Sequence, residues 1–291
     1  MKKLIIGSDW WTDCDDAVAM RIFARAHNSG RVSVLGFIIN ACMDISVASL
    51  DSFLQKEGLG ELPIGLDTAA TDFGRNPAYQ KRLAQSAQRK KSNADAEDPV
   101  RLYRRLLAES DTAVEIAEIG YLQTAAALLA SPADDISDKT GLELVKQKVS
   151  RFWVMAGAWP SGRENNFARN KRSIDGGAYF VKNCPVPITF LGYEVGYSVI
   201  SGTNLAKDDH LKLAMTDNGF PDGRSSWDPM LALLATGDSA VGDDYDGVTG
   251  KAYVDAITGE NSFVKGDGPH TYAVKKYPDG YYADKINAYI G

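Results

Sequence analysis

The feature that most constrains this fold is a steady alternation of short β-rich apolar runs with stretches of helical periodicity. Leu4-Ile5-Ile6, Val32 to Ile39, Leu62 to Leu66, Val114 to Ile119, Phe152 to Met155 and Val186 to Leu191 read as buried strands. Ala17 to His27, Ile45 to Glu57, Pro99 to Ser110, Tyr121 to Ala130, Leu142 to Lys148, Ile174 to Asn183 and Trp227 to Thr236 read as helices. This order implies an α/β protein with an open, mostly parallel, Rossmann-like sheet and helices on both faces. Two segments break the pattern. Thr68 to Asp98, with its basic run Arg89-Lys90-Lys91, reads as a polar surface excursion, and the part from Asp238 on reads as turns and short strands. In open α/β sheets ligands bind outside the carboxyl ends of the strands. The segments 9–16, 119–121, 156–170 and 192–196 all fall there.

The first of these is the most charged. Asp9, Asp13, Asp15 and Asp16 crowd one turn and must repel one another. A divalent cation removes that cost, and an all-oxygen carboxylate set without His or Cys suits Ca²⁺ or Mg²⁺. The bland alternative is a solvated acidic loop with one Asp capping the next helix. The rest of the composition excludes classes of partner. A net charge of −6 gives no global attraction to nucleic acid or to an anionic membrane. No apolar run reaches the ~18 residues needed to span a bilayer. Cys14, Cys42 and Cys184 are odd in number and widely spaced, against a disulfide framework or a structural zinc. The cytoplasm is the expected compartment, with secretion open if a signal peptide precedes this start.

The run Ser8-Asp9-Trp10-Trp11-Thr12-Asp13-Cys14-Asp15-Asp16-Ala17 resembles the Asp-rich signature of the inosine–uridine-preferring nucleoside hydrolases. Specifically, it is similar to the longer form, Thr-Asp-x-Gly-x-Asp-x-Asp-Asp-Ala, with Ser8 in place of Thr and Trp11 in place of Gly. Further resemblances follow in order. Ile119 to Ala125 is similar to the family's Gly-Pro-Leu-Thr-Asn turn, and Val154 to Ala158 to its Met-Gly-Gly-Ala strand end. Glu164 to Asn170 is similar to Glu-Phe-Asn-x-x-x-Asp, and Trp227-Asp228-Pro229 to His-Asp-Pro. The resemblance runs from about Leu4 to about Ala235, so one nucleoside hydrolase-like domain over 1–291 is expected in place of the two that length alone suggests.

The resemblance implies a Ca²⁺-dependent hydrolase of the N-glycosidic bond of ribonucleosides or related N-ribosides, passing through an oxocarbenium-like transition state. It implies Asp9 as general base and metal ligand, Asp16 and Asp228 as further ligands, and the carbonyl of Ile119 completing the set. Asp15, Glu164 and Asn166 would bind ribose hydroxyls, Asn40 would join them, and Asp13 would support the site from behind. A homodimer or homotetramer and a part in purine or pyrimidine salvage come with the family. The departure is Trp227, where many members have the His that protonates the leaving base. His27, His210 and His270 fall in no matching motif and read as structural. Stacking on Trp10, Trp11, Trp159 or Trp227 could replace that His, or the substrate could carry a better leaving group. Trp153 reads as core, and Glu194 as either structural or cleft-lining. Two other functions fit parts of the pattern. One is a non-catalytic nucleoside or ribose binder. The other is a metal-dependent phosphatase, for which Asp13 and Asp15 have the spacing but which also needs a later Lys.

Overall fold

The computed structural model describes residues 1–87 and 91–291, so Arg89 and Lys90 of the basic run lie outside the described residues. Among the described residues twelve strands form: β1 (Lys2–Ser8), β2 (Val32–Ile39), β3 (Ile64–Leu66), β4 (Val114–Glu118), β5 (Val149–Met155), β6 (Ser161–Gly162), β7 (Ile188–Leu191), β8 (Ile200–Ser201), β9 (Arg224–Ser225), β10 (Tyr245–Val254), β11 (Asn261–Lys265) and β12 (His270–Lys275). Ten of them make one sheet in the order β3-β2-β1-β4-β5-β7-β12-β10-β11-β6. Every pairing from β3 to β12 is parallel, and the last three pairings are antiparallel. β8 and β9 form a separate small ribbon.

The pleat divides the core between the two faces. Leu4 and Ile6 point to one cluster, which includes residues of the helices Asp15–Asn28, Ser46–Lys56 and Trp227–Thr236. Ile5 points to the other, with residues of the helices Pro99–Glu109, Gln123–Ala130 and Lys171–Asn183. Helices therefore cover both faces of an open sheet that is mostly parallel.

The C-terminal part differs from the expectation of turns and short strands. β10 is ten residues long and continues the main sheet. A terminal helix, Asp279–Ile290, buries Tyr282, Ile286 and Ile290. Their four-residue spacing is a helical stripe that the surrounding Gly, Asp and Tyr content disguises. The excursion 68–98 contains the helix Ala78–Gln85, whose Gln80 Nε2 donates to the Trp10 carbonyl at 2.6 Å.

One consequence of strand order matters most. β1 pairs with β2 on one side and β4 on the other, so the chain leaves β1 in one direction and returns on the opposite side. Such a reversal splays the loops apart and opens a crevice at the carboxyl ends of the strands. Asp9 follows β1, Asn40 follows β2, Ile119 follows β4 and Tyr193 follows β7 by two residues.

Candidate functional site

A cleft of about 170 Å³ opens at this edge. Asp9, Asp13, Asp15, Asp16, Ile119, Glu164, Asn166, Trp11, Trp227 and Asp228 all line it, although 219 positions separate Asp9 from Asp228.

The acidic wall is built by backbone geometry. Asp9 leaves β1, and its Oδ1 accepts the Trp11 N–H at 3.0 Å. Trp10 and Thr12 then take left-handed conformations, with φ of 48° and 57°. Such angles are strained for side chains of this size. They turn the two adjacent tryptophans in opposite senses. Trp10 is fully buried against Phe53 and Tyr79, and its Nε1 donates to Ser49 Oγ at 2.8 Å. Trp11 stays at the cleft, packed on Phe73. The helix Asp15–Asn28 then begins with no side-chain cap, so capping does not account for the aspartates.

Asp15, Asp16 and Asp228 bring one carboxylate oxygen each to within 4.8 Å of one another, all buried. Asp228 arrives from the start of the helix Trp227–Thr236, and its N–H donates to Asp15 Oδ2 at 3.2 Å. Asp16 accepts from the Ser8 hydroxyl and from the Trp10 N–H. Asp9 lines the same cleft but stands outside this closest triad, whereas Asp15, which the resemblance gives to ribose, stands inside it. Burial, and then repulsion among these four aspartates and from Asp13, pushes all their carboxyls well above the usual range. Protons or a cation must offset that repulsion at neutral pH. Three buried carboxylates converging with a nearby fourth, and no imidazole or thiolate among the lining residues, fit a hard divalent cation such as Ca²⁺.

Next along the cleft, Glu164 accepts the Asn166 N–H at 2.9 Å and the Gly157 N–H at 3.0 Å. Burial still raises its carboxyl to about 7. Asn166 Nδ2 donates to the Met155 carbonyl at 2.8 Å. Asn40 sits behind the wall rather than in it: its Oδ1 accepts the Tyr121 N–H at 3.0 Å. Its Nδ2 is buried without a protein partner. Gly120 makes this approach possible, because a Cβ there would lie 2.2 Å from Asp9 N and 2.7 Å from Asn40 Oδ1.

The opposite wall is aromatic and basic. Trp227 donates from Nε1 to the Tyr193 carbonyl at 2.8 Å, and the two rings stack at 5.5 Å and 28°. Gly196 allows this packing, since a Cβ there would meet Trp227 Cα at 2.5 Å. Arg224, on the β8–β9 ribbon, packs its guanidinium 5.1 Å from the Trp227 ring and 4.3 Å from Phe220. Asp13 grips it in return, with Nε and Nη2 bonds of 2.6–3.0 Å.

Several residues singled out from the sequence lie elsewhere. Trp10 is in the core, as above. Trp159 is buried among Phe167, Phe190, Phe263 and Tyr272, with Nε1 donating to the Ala156 carbonyl. Neither lines the cleft, because each indole finds a complete apolar shell on its own side of the sheet. Glu194 accepts the Trp159 N–H, and Asn170 caps the helix Lys171–Asn183. His27 accepts the Val34 N–H, His210 meets Glu57 and Arg21, and His270 accepts the Ala252 N–H. None of the three lines the cleft. Sequence reasoning missed Arg224, Tyr193, Thr12, Asn165 and Met155, which do.

No protein-family model and no curated protein matches the chain. Solved structures do. An inosine-uridine preferring nucleoside hydrolase from Bacillus anthracis superposes with a TM-score of 0.71 at 12% identity, covering 100% of this chain and 99% of that one. A plant nucleoside hydrolase gives 0.72 at 16%, covering 99% and 98%. A purine-preferring ribonucleoside hydrolase from Gardnerella vaginalis gives 0.70 at 15%, again covering 99% and 98%. The chain has the nucleoside hydrolase fold over essentially its whole length.

Proposed function

We propose that this protein hydrolyses the N-glycosidic bond of a ribonucleoside or related N-riboside, giving ribose and free base with the help of a bound Ca²⁺. The observation that carries this reading is the buried convergence of Asp15, Asp16 and Asp228, with Asp9 and Glu164 in the same cleft. The shared fold supports it.

Asp16 and Asp228 would hold the cation together with Asp9 and the Ile119 carbonyl. Asp15, itself one of the three converging carboxylates, would add a fifth oxygen donor, to the cation or to a ribose hydroxyl beside it. When bound, the cation neutralises the wall and lowers the pKa of nearby water. Asp9 takes the proton from the attacking water. Glu164 and Asn166 receive ribose hydroxyls, and the wall's negative potential favours the cationic sugar of the transition state. Asn40 keeps the Tyr121 turn in place and supplies one unpaired N–H donor behind Asp9. Trp11 and Trp227 are the tryptophans that flank the base. The family resemblance adds a homodimer or homotetramer and a salvage role; the cytoplasm is the compartment we propose from cysteine usage.

The test is release of reducing sugar from a panel of purine and pyrimidine ribonucleosides, with Ca²⁺ and with chelator. Release that stops in chelator and in Asp9→Ala supports the reading. Tight nucleoside binding without release points instead to a binding protein on this scaffold. The phosphatase alternative lacks its Lys: among the described residues no lysine lines the cleft.

A further inference from the structure

The nucleosidase reading leaves one chemical job without a residue. The bond to a nitrogen base breaks with its electron pair moving to the base, and an imidazole acid normally meets that charge. Here no histidine lines the cleft. Glu164 is a poor substitute, because backbone N–H groups already point at both of its oxygens, so it is arranged as an acceptor. Among the described residues Arg224 is the one basic side chain on the lining.

Its placement is unusually fixed for an arginine. Asp13 engages Nε and Nη2, Phe220 and Trp227 pack against the guanidinium, and the ribbon that carries it is tied down. Ser225 Oγ donates to the Tyr197 carbonyl, and the Ser226 N–H to the Gly196 carbonyl. The bonds to Asp13 leave Nη1 out of the fork. A guanidinium has donors only and keeps its proton at any working pH. Such a group cannot act as an acid, but it can hold a negative charge where one develops.

We propose that Arg224 activates the leaving group as a fixed cation, holding the electron pair that the base carries away, with Asp13 positioning it. This rests on the nucleosidase reading. In the step, the oxygen of water bonds to the anomeric carbon and its proton passes to Asp9. The carbon–nitrogen bond breaks, and its electrons go to the base, which departs as an anion against Arg224. After release the base takes a proton from solvent and Asp9 returns one, so riboside plus water gives ribose plus neutral base. Because Arg224 only donates, the aglycone edge that faces it carries acceptors, an oxo group or an unprotonated ring nitrogen, rather than an amino group. Asp13, read from sequence as a support behind the site, acquires a specific task.

The experiment compares two leaving groups in one cleft. Inosine and uridine need help to release their bases, whereas 4-nitrophenyl β-ribofuranoside releases an anion that is stable by itself. Arg224→Gln is expected to lower kcat on the nucleosides roughly 100-fold, the usual effect of removing one charge-stabilising donor. It should change kcat on the 4-nitrophenyl riboside by less than about threefold, with KM nearly constant for both. Asp13→Asn should show the same split more weakly. Arg224→Lys, which keeps the charge but loses the two-pronged grip, serves as the second variant if Arg224→Gln does not fold. Equal losses on both substrates, or none, overturn the role of Arg224 while the nucleosidase reading stands. If the wild-type protein releases ribose from no substrate, that reading falls and this role with it.

Discussion

The two walls of the cleft are made in different ways. The acidic wall grows from the segments after the central parallel strands and from the start of the helix Trp227–Thr236, and its side chains are fixed by backbone N–H groups: Trp11 to Asp9, Trp10 to Asp16, Asp228 to Asp15, Asn166 and Gly157 to Glu164. The aromatic wall is assembled from a four-residue helix, a two-stranded ribbon and a helix start, and its side chains hold one another: Tyr193 to Trp227, Trp227 to Arg224, Arg224 to Asp13. Fixed backbone donors give a rigid site for charge, where a small error in position is costly. Side chains stacked on side chains give a surface that can change its ligand through a few substitutions. The first wall sets the reaction and the second sets what may leave.

That division implies unequal penalties for damage. On the acidic side Asp9→Ala should reduce ribose release about 10³-fold, within the usual range for a general base, with the fold retained by circular dichroism. Asp228→Asn should abolish the Ca²⁺-dependent rise in the thermal transition. In the wild type that rise corresponds to about 2.7 kcal/mol at a hundredfold excess over Kd. On the aromatic side Trp227→Ala should cost roughly tenfold in kcat, since a stacked base contributes ~1–3 kcal/mol, and should leave the Ca²⁺ response intact. A loss of Ca²⁺ response in Trp227→Ala would break the separation between the walls.

The smallest effect lies outside both. His270 is buried at the antiparallel edge, where its Nδ1 accepts the Ala252 N–H, and burial lowers its pKa to about 4 from the ordinary 6.5. The unfolded chain binds this proton first as pH falls. The stability His270 contributes is therefore complete above 6.5 and drains away as pH falls toward 4. His270→Gln should flatten that part of the pH dependence of the thermal transition by a few degrees, with no effect on ribose release.

How much of this was legible in the sequence follows the same line between the walls. The alternation of strands and helices and the contiguous run 9–16 carry the acidic wall, because a tight turn after a strand keeps neighbours in sequence neighbours in space. Trp227 was legible only as the residue before Asp228-Pro229. Arg224 was not, because its partner Asp13 lies 211 positions away and nothing local marks the pair. The fate of the two adjacent tryptophans was also hidden. It turns on the left-handed backbone at Trp10 and Thr12, which no residue type there advertises. The terminal helix was hidden differently: its stripe of Tyr282, Ile286 and Ile290 was present but diluted by Gly, Asp and Tyr.

The central claim is that the buried carboxylates form a cation site. Calorimetric titration of Ca²⁺ into chelator-treated protein tests it most directly. One site per chain in the wild type, lost in both Asp16→Asn and Asp228→Asn, is the expected result. Absence of binding in the wild type, or undiminished binding in both variants, would contradict it.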